Sequence, residues 1–189
     1  MTTLLPSRII DHDLTIQRWT ATDVDPMEAL VTENLDHLRP WMAWAAHEPI
    51  TSQQRRQLFS RWDRYWKADK GAVYSVRVDD ELVGGCAIHL QTSDGAEIGY
   101  WLGHNATGRG IATRTARALT DEAFRLDDID FVQISHEHSN TRSGAVAERL
   151  GYTRVPTLSP GDTRWRVDRS RWFSRRDNES VPRSERRCG

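Results

Sequence analysis

The segment Glu97-Ile-Gly-Tyr-Trp-Leu-Gly-His-Asn-Ala-Thr-Gly-Arg-Gly-Ile-Ala-Thr113 runs from a carboxylate on an apolar strand, through a glycine-rich turn, into a helical pattern. The first amides of a helix have no carbonyl one turn back, and the helix dipole is positive there. Gly108, Arg109, Gly110, Ile111, Ala112 and Thr113 can therefore cradle a phosphate or pyrophosphate, and the two glycines let the backbone come close. A second polar group, Asn140-Thr-Arg-Ser143, opens another helical pattern. Its hydroxyl can give a proton to a leaving group, and Glu97, a carboxylate on a largely buried element, can accept one. Each has a structural alternative: Asn140 and Ser143 as helix caps, Glu97 as a strand-end partner for arginine or backbone.

Three readings of the glycine turn compete. A P-loop needs a longer turn ending in Gly-Lys-Ser/Thr, which is absent. A dinucleotide fingerprint fits Gly108 and Gly110, with Asp128 and Asp130 about 20 residues on, but Thr113 stands at its third glycine. The turn also follows hairpin-like strands, whereas a dinucleotide fold normally opens with its fingerprint. A plain structural turn is the third.

The turn also resembles the coenzyme A pyrophosphate loop of the GNAT acetyltransferases, Gln/Arg-x-x-Gly-x-Gly/Ala. Gly110 and Ala112 match, and Thr107 departs at the Gln/Arg position. Asn140-Thr-Arg-Ser-Gly-Ala-Val-Ala-Glu-Arg-Leu-Gly-Tyr152 is similar to that family's Asn-x-x-Ser helix start and Leu-Gly-Phe/Tyr exit. Leu38-Arg-Pro-Trp-Met-Ala-Trp-Ala45 resembles the Leu-x-x-Trp-Leu-Pro-Trp segment of the branch holding the ribosomal-protein N-terminal (Rim-type) acetyltransferases, with Met42 and Ala43 replacing Leu-Pro. Glu97-Ile-Gly-Tyr-Trp-Leu102 is typical of the same branch, and the resemblance spans about Leu14 to Asp168.

The resemblance implies an α/β (α+β) fold with a mixed, mostly antiparallel central sheet of six to seven strands flanked by four helices. It implies acetyl-CoA as co-substrate and no metal. Pantetheine would pair with the backbone of Trp101, Leu102 and Gly103 and bond Asn140. Pyrophosphate would lie on Gly108 to Thr113, with Ser143 protonating the thiolate and Glu97 taking the amine's proton, directly or through water. Trp41 and Trp44, in a loop where the family builds its acceptor cleft, are expected acceptor contacts. His89, His136 and His138 are weaker base candidates. The late glutamate that serves as base in N-terminal members has no match, because Val155 to Arg164 holds only Asp162.

The acceptor follows from acidity. An α-amine of reference pKa ~7.7–8.0 is roughly a tenth neutral at pH 7, and a lysine amine near ~10.4 about one part in two thousand. A weak base suffices for the former, so the expected acceptor is the N-terminal α-amine of a protein or peptide. Acetylation of a small amine, such as an antibiotic or aminoacyl nucleotide, is the alternative, and a non-catalytic acyl-CoA-binding module is the reading of another class. A homodimer is left open.

The elements that must position these groups are legible as periodicities. Leu14 to Arg18 reads as a strand. Asp25-Pro26 reads as a helix start, with Met27, Val31, Leu35 and Leu38 on one face. Thr51-Ser-Gln-Gln54 is a capping box before a stripe of Leu58, Trp62, Tyr65 and Trp66, with Trp62 and Trp66 expected in the core. Ala72 to Val78 and Leu82 to Leu90 form a hairpin, with a bulge at Gly84-Gly85. On the Glu97 strand, Glu97, Gly99 and Trp101 face one way and Ile98, Tyr100 and Leu102 the other. Helices follow over Gly110 to Arg125 and Thr141 to Leu150, with Gly151 as the left-handed stop, and a hairpin over Tyr152 to Leu158 and Thr163 to Asp168 closes the domain. One domain over residues 1–173 is expected, with an arginine-rich, disordered tail over 174–189.

Composition narrows the class. With 189 residues the chain fits one domain with one buried core. A net charge of -1 gives no field for gripping nucleic acid. No apolar run suits a membrane span and no signal pattern opens the chain, so the expected location is the cytoplasm. Cys86 and Cys188 are too few for a disulfide framework or zinc cluster, and Cys86 is expected to be a small core residue.

Overall fold

The computed structural model describes residues 4–91, 94–157 and 159–180. Eight strands form one sheet in the order β1-β2-β3-β4-β5-β6-β8-β7. They are β1 (Arg8–Asp11), β2 (Leu14–Arg18), β3 (Gly71–Val78), β4 (Glu81–Leu90), β5 (Gly95–Leu102), β6 (Phe131–Glu137), β7 (Thr153–Val155) and β8 (Asp162–Asp168). Every neighbouring pair is antiparallel except β5 with β6. The helices are α1 (Val24–Glu33), α2 (Leu35–Leu38), α3 (Ser52–Lys67), α4 (Ile111–Ala123), α5 (Thr141–Arg149) and α6 (Arg169–Ser180).

The mixed, mostly antiparallel sheet agrees with expectation, and its counts are larger. β1 adds a strand that carries no glycine signal, because the turn back to β2 is made by His12 at φ 56. Asn34 breaks the first helical stretch in two. That stretch begins at Val24, after Asp23 rather than Asp25, because the Asp23 carboxylate accepts from the Thr20 amide at 2.8 Å and pairs with Arg77. Pro26 still falls in the first turn, where a missing N–H costs nothing.

Residues 174–180, expected to be disordered, are helical, and residues 181–189 lie outside the described residues. The helix has an anchor that composition hides. Trp172 is buried against Phe124 and Tyr152 and donates to Asp121 at 2.8 Å. Arg169 caps the end of α4 by donating to the carbonyls of Phe124 and Ile129.

Two apolar clusters cover opposite faces of the sheet. On one, α4 packs Ile111, Ala116, Leu119 and Ala123 against Ile16, Tyr74, Ile88 and Ile98, all buried. A fully buried side chain such as Leu119 contributes about 2 kcal/mol, and the alanines beside it let the helix sit close. On the other, Trp19, Met27, Val31 and Phe59 pack against Val73, Leu82 and Trp101. The two faces supply the two walls of the site.

β4 carries an irregularity one residue before the expected Gly84-Gly85, at Val83, which has no partner on β3. The register against β3 shifts between Val76 and Arg77, beside Gly84. A Cβ on Gly85 would stand 2.7 Å from the Trp101 indole nitrogen, so this glycine is the space in which Trp101 lies across the sheet. Among the described residues no helix is long and apolar enough to cross a membrane.

Candidate active site

β5 and β6 pair only over Gly95–Glu97 and Phe131–Gln133. Beyond this, β5 continues beside β4 while β6 turns to β8, and the strands part. A cleft of about 1760 Å³ enters this wedge, floored by Gly99, Tyr100, Trp101 and Leu102 on one side and Ile134, Ser135 and His136 on the other.

The start of α4 forms one end of the cleft. Gly110 is its N-cap at φ 76, left-handed, and no side chain caps the helix. α3 and α5 differ: Thr51 accepts from the Gln54 amide, and Asn140 from the Ser143 amide at 3.1 Å. A Cβ at Gly108 or Gly110 would meet nothing within 4 Å, so the backbone faces open space. Gly108, Gly110, Ile111, Ala112 and Thr113 line the cleft, with Arg114, Arg117 and Arg149 nearby. The helix-start amides, uncapped by any side chain, fit a diphosphate, with the arginines beside them; Arg114 is itself held by Asp11 and Asp13. Arg109 is exposed and lies outside the lining, so its side chain is not part of the cradle.

Ser143 projects from the first turn of α5, and its hydroxyl lies 3.1 Å from that of Tyr100. Burial pushes the Tyr100 phenol up to about 12, so it stays protonated. The two hydroxyls share one hydrogen bond, and the Ser143 carbonyl at 3.5 Å is a second acceptor for the Tyr100 proton. When Tyr100 is the donor in that bond, the Ser143 hydroxyl is left to donate into the cleft. Asn140 spends its carbonyl oxygen on the cap and keeps its amide N–H groups. Gly103 stands outside the lining, with its N–H given to Val83 at 2.9 Å, while Trp101 and Leu102 line the cleft.

Of the two routes expected for Glu97, direct or through water, its placement suits the second. Glu97 belongs to the paired base of the wedge, outside the lining, and accepts from the side-chain amides of Gln91 and Gln133, each at 3.2 Å. Its cross-strand neighbour His89 does line the cleft and bonds Tyr65 at 2.9 Å. Desolvation holds His89 below the ordinary imidazole range, with Glu97 pulling the other way. His136 also lines the cleft. Its Nε2 accepts from the Trp165 indole at 3.0 Å and its Nδ1 bonds the Glu137 carbonyl at 2.7 Å, so neither nitrogen is available as a base. His138, outside the lining, bonds Thr163.

The opposite end is aromatic. Trp41, partly exposed, and Trp44 line it, and Trp44 packs 5.4 Å from Trp101. Trp62 lines it too, and also packs on Trp19 and Phe59 of the smaller core cluster as expected; the buried positions of α3 are Arg55 and Phe59. Trp66 instead packs against the main core and donates to the Leu5 carbonyl at 2.9 Å. His37, on α2, meets His104 edge-on at 5.3 Å, and burial with the nearby His104 and Arg142 charges lowers its pKa.

The sequence reading missed Tyr100, Glu48 and His37 as parts of the site. Strand parity alone puts Tyr100 on the face that receives α5, and that was the available signal for it.

Comparison with known proteins agrees with this geometry. The GNAT acetyltransferase domain matches residues 13–153, so the chain belongs to that family and is an N-acetyltransferase. It is 28% identical over 145 residues to YdaF of Bacillus subtilis (strain 168), named as a proposed ribosomal N-acetyltransferase, covering 76% of this chain and 79% of that one. The fold is shared with the microcin C7 self-immunity acetyltransferase MccE, solved with acetyl-CoA and AMP (TM-score 0.77, 21% identity, 88% and 98% coverage). It is shared equally with RimL, the ribosomal L7/L12 α-N-protein acetyltransferase, solved with coenzyme A (TM-score 0.76, 20% identity, 87% and 97% coverage). The likeness thus runs to the Rim-type branch, and the dinucleotide reading falls with it: the glycine turn follows antiparallel strands, not a first βα unit.

Proposed function

We propose that this chain transfers the acetyl group of acetyl-CoA to the N-terminal α-amine of a protein or peptide by direct attack on the thioester. The observation that carries the reading is the continuity of the cleft from the uncapped start of α4, past Ser143, to the tryptophans. YdaF and RimL, both named for ribosomal substrates, support the α-amine. When bound, acetyl-CoA supplies the activated acetyl group and a good thiolate leaving group.

The chain's residues do the rest by positioning. Amides of Gly108 to Thr113 hold the diphosphate, the parted edge of β5 at Trp101 and Leu102 offers backbone partners to an extended chain, and Asn140, in the same lining, has its amide N–H groups to offer. Ser143 gives its proton to sulfur as the carbon–sulfur bond breaks, and Tyr100, hydrogen-bonded behind it, steadies that hydroxyl. As the carbon–nitrogen bond forms, the amine's proton leaves by water toward Glu97, which acts at one remove because it lies outside the cleft. Trp41 and Trp44 hold the acceptor.

The small-amine reading keeps one observation in its favour: Trp44, Trp62 and Trp101 are flat surfaces suited to a ring, and MccE was solved in complex with both acetyl-CoA and AMP. Incubation with acetyl-CoA and a panel of N-terminal peptides, lysine peptides, aminoglycosides and aminoacyl nucleotides, read by mass spectrometry, tests both. Acetylation confined to peptide N-termini is expected. Modification of the small amines alone overturns the α-amine reading.

A further inference from the structure

Two carboxylates are found among the residues that line the cleft, Asp11 and Glu48. Asp11 is bound to Arg114 at 3.0 Å, beside α4. Glu48 stands alone at the aromatic end, between the 3-10 turn Ala43–His47 and the start of α3. Its side chain is 5% exposed and that of Arg55 is 1% exposed, and the two form an ion pair at 2.9 Å. One carboxylate oxygen, Oε2, takes both the Arg55 guanidinium and the Ile50 amide, the latter at 3.0 Å. Oε1 accepts no hydrogen bond among the described residues.

The pair is poorly explained as a stabilising device. Arg55 Nε and Nη1 are buried without a partner among the described residues. A buried ion pair gains stability over apolar side chains only when its remaining donors are satisfied, and here they are not. The pair does, however, fix a carboxylate oxygen at the wall of the cleft. Thr51 anchors the helix that carries Arg55, and the Ile50 amide and Arg55 together hold Oε2, which fixes the carboxylate and leaves Oε1 as its unspent oxygen.

We infer that Glu48 is the hydrogen-bond anchor for the amine-bearing end of the acceptor, and that Arg55 is its positioning residue. This rests on the α-amine reading above and names the group that meets the amine. The Arg55 charge matters to the chemistry. A lone carboxylate would stabilise the ammonium and so suppress the nucleophile. A carboxylate neutralised by a guanidinium keeps its lone pair for an N–H while exerting little net pull on the proton. An amine donating one N–H to Oε1 retains its own lone pair for the thioester carbon.

The test is steady-state kinetics with the acetylated peptide class on Glu48→Gln, together with the double variant Glu48→Gln/Arg55→Met, which removes both buried charges. Each variant is also titrated with acetyl-CoA by calorimetry. Glu48→Gln should raise the acceptor KM at least tenfold, with the acetyl-CoA Kd unchanged within twofold. The double variant should keep its fold and the raised KM. Because Arg55 acts through Glu48, Arg55→Lys should give a smaller rise in acceptor KM than Glu48→Gln. An unchanged acceptor KM in either glutamate variant overturns the inference. If the wild type acetylates a small amine and no peptide, the α-amine reading fails, and the same KM comparison on that amine still decides Glu48.

Discussion

Replacing Gly110 by alanine separates backbone strain from ligand contact. Gly110 sits at φ 76, and an added Cβ would meet nothing within 4 Å. The folded protein therefore loses only the left-handed penalty, about 1–2 kcal/mol, or a Tm drop of roughly 2–8 °C for a chain of this size. Gly161, in the turn before β8, has φ 88 and the same open surroundings, so Gly161→Ala is a matched control for strain. The two differ in what approaches them. A methyl at Gly110 stands where a diphosphate would meet the first amides of α4. Loss of one charge-assisted hydrogen bond costs about 1.5–3 kcal/mol, so the Kd for coenzyme A should rise roughly tenfold to a hundredfold. Calorimetric titration beside differential scanning measures both quantities on each variant. Equal Tm losses with the Gly110→Ala Kd within twofold of that of Gly161→Ala would refute the cradle.

The other predictions concern the proton path, pH and the closing helix. Tyr100→Phe removes the hydrogen bond behind Ser143 at 3.1 Å, so kcat should fall about 3- to 10-fold with the acetyl-CoA KM unchanged. Ser143→Ala should cost more, on the order of a hundredfold in kcat, and an unaffected kcat would remove the proton-donor role. Burial raises the pKa of Tyr74, Tyr100 and Tyr152, so above about pH 10 the unfolded chain releases protons that the folded chain keeps. Stability should then be full below pH 10 and fall as pH rises, by roughly 1.4 kcal/mol per pH unit for each such tyrosine, in urea titrations at stepped pH. Trp172→Ala should destabilise the fold by about 3–5 kcal/mol and release α6, read by denaturation and by proteolysis after Asp168.

The parts of this fold that announce themselves in sequence are those whose physics is local. Gly151 stops its helix in left-handed backbone as expected, and Gly110 leaves open space for the close approach expected of it. Thr51 and Asn140 cap their helices with the expected bonds. The alanine stripe of α4 faces the sheet because its period allows nothing else. What stayed hidden depends on partners distant in the chain. β1 is held by its pairing to β2, and α6 by a tryptophan whose pocket is built from α4 and the segment after α5. Glu97 was correctly placed on β5 and on its face, but the point at which β5 and β6 part is a property of two strands, and it decides which residues of β5 reach the cleft. Glu48 and Arg55 are seven apart and ordinary in composition; only their joint burial beside the cleft sets them apart.

The charge arrangement bears directly on which amine this cleft favours. Of its lining carboxylates, Asp11 is bound by Arg114 and Glu48 by Arg55, and of its lining histidines His136 has both nitrogens engaged and His89 bonds Tyr65 through Nδ1. With Glu97 outside the lining, the site holds and aims an amine more readily than it strips a proton from one. Such a site works on the fraction of acceptor already neutral. At pH 7 that fraction is about a tenth for an α-amine and about one part in two thousand for lysine, a disadvantage near 200-fold before any contact differs. The rate on an N-terminal acceptor should therefore climb with pH and level off near 8, where the amine itself becomes neutral. A lysine acceptor should go on gaining toward pH 10, and the discrimination between the two should shrink accordingly. Selectivity of this kind needs no pocket that recognises the α-amine: it follows from pairing the two lining carboxylates with guanidinium groups and letting the amine's proton leave through solvent.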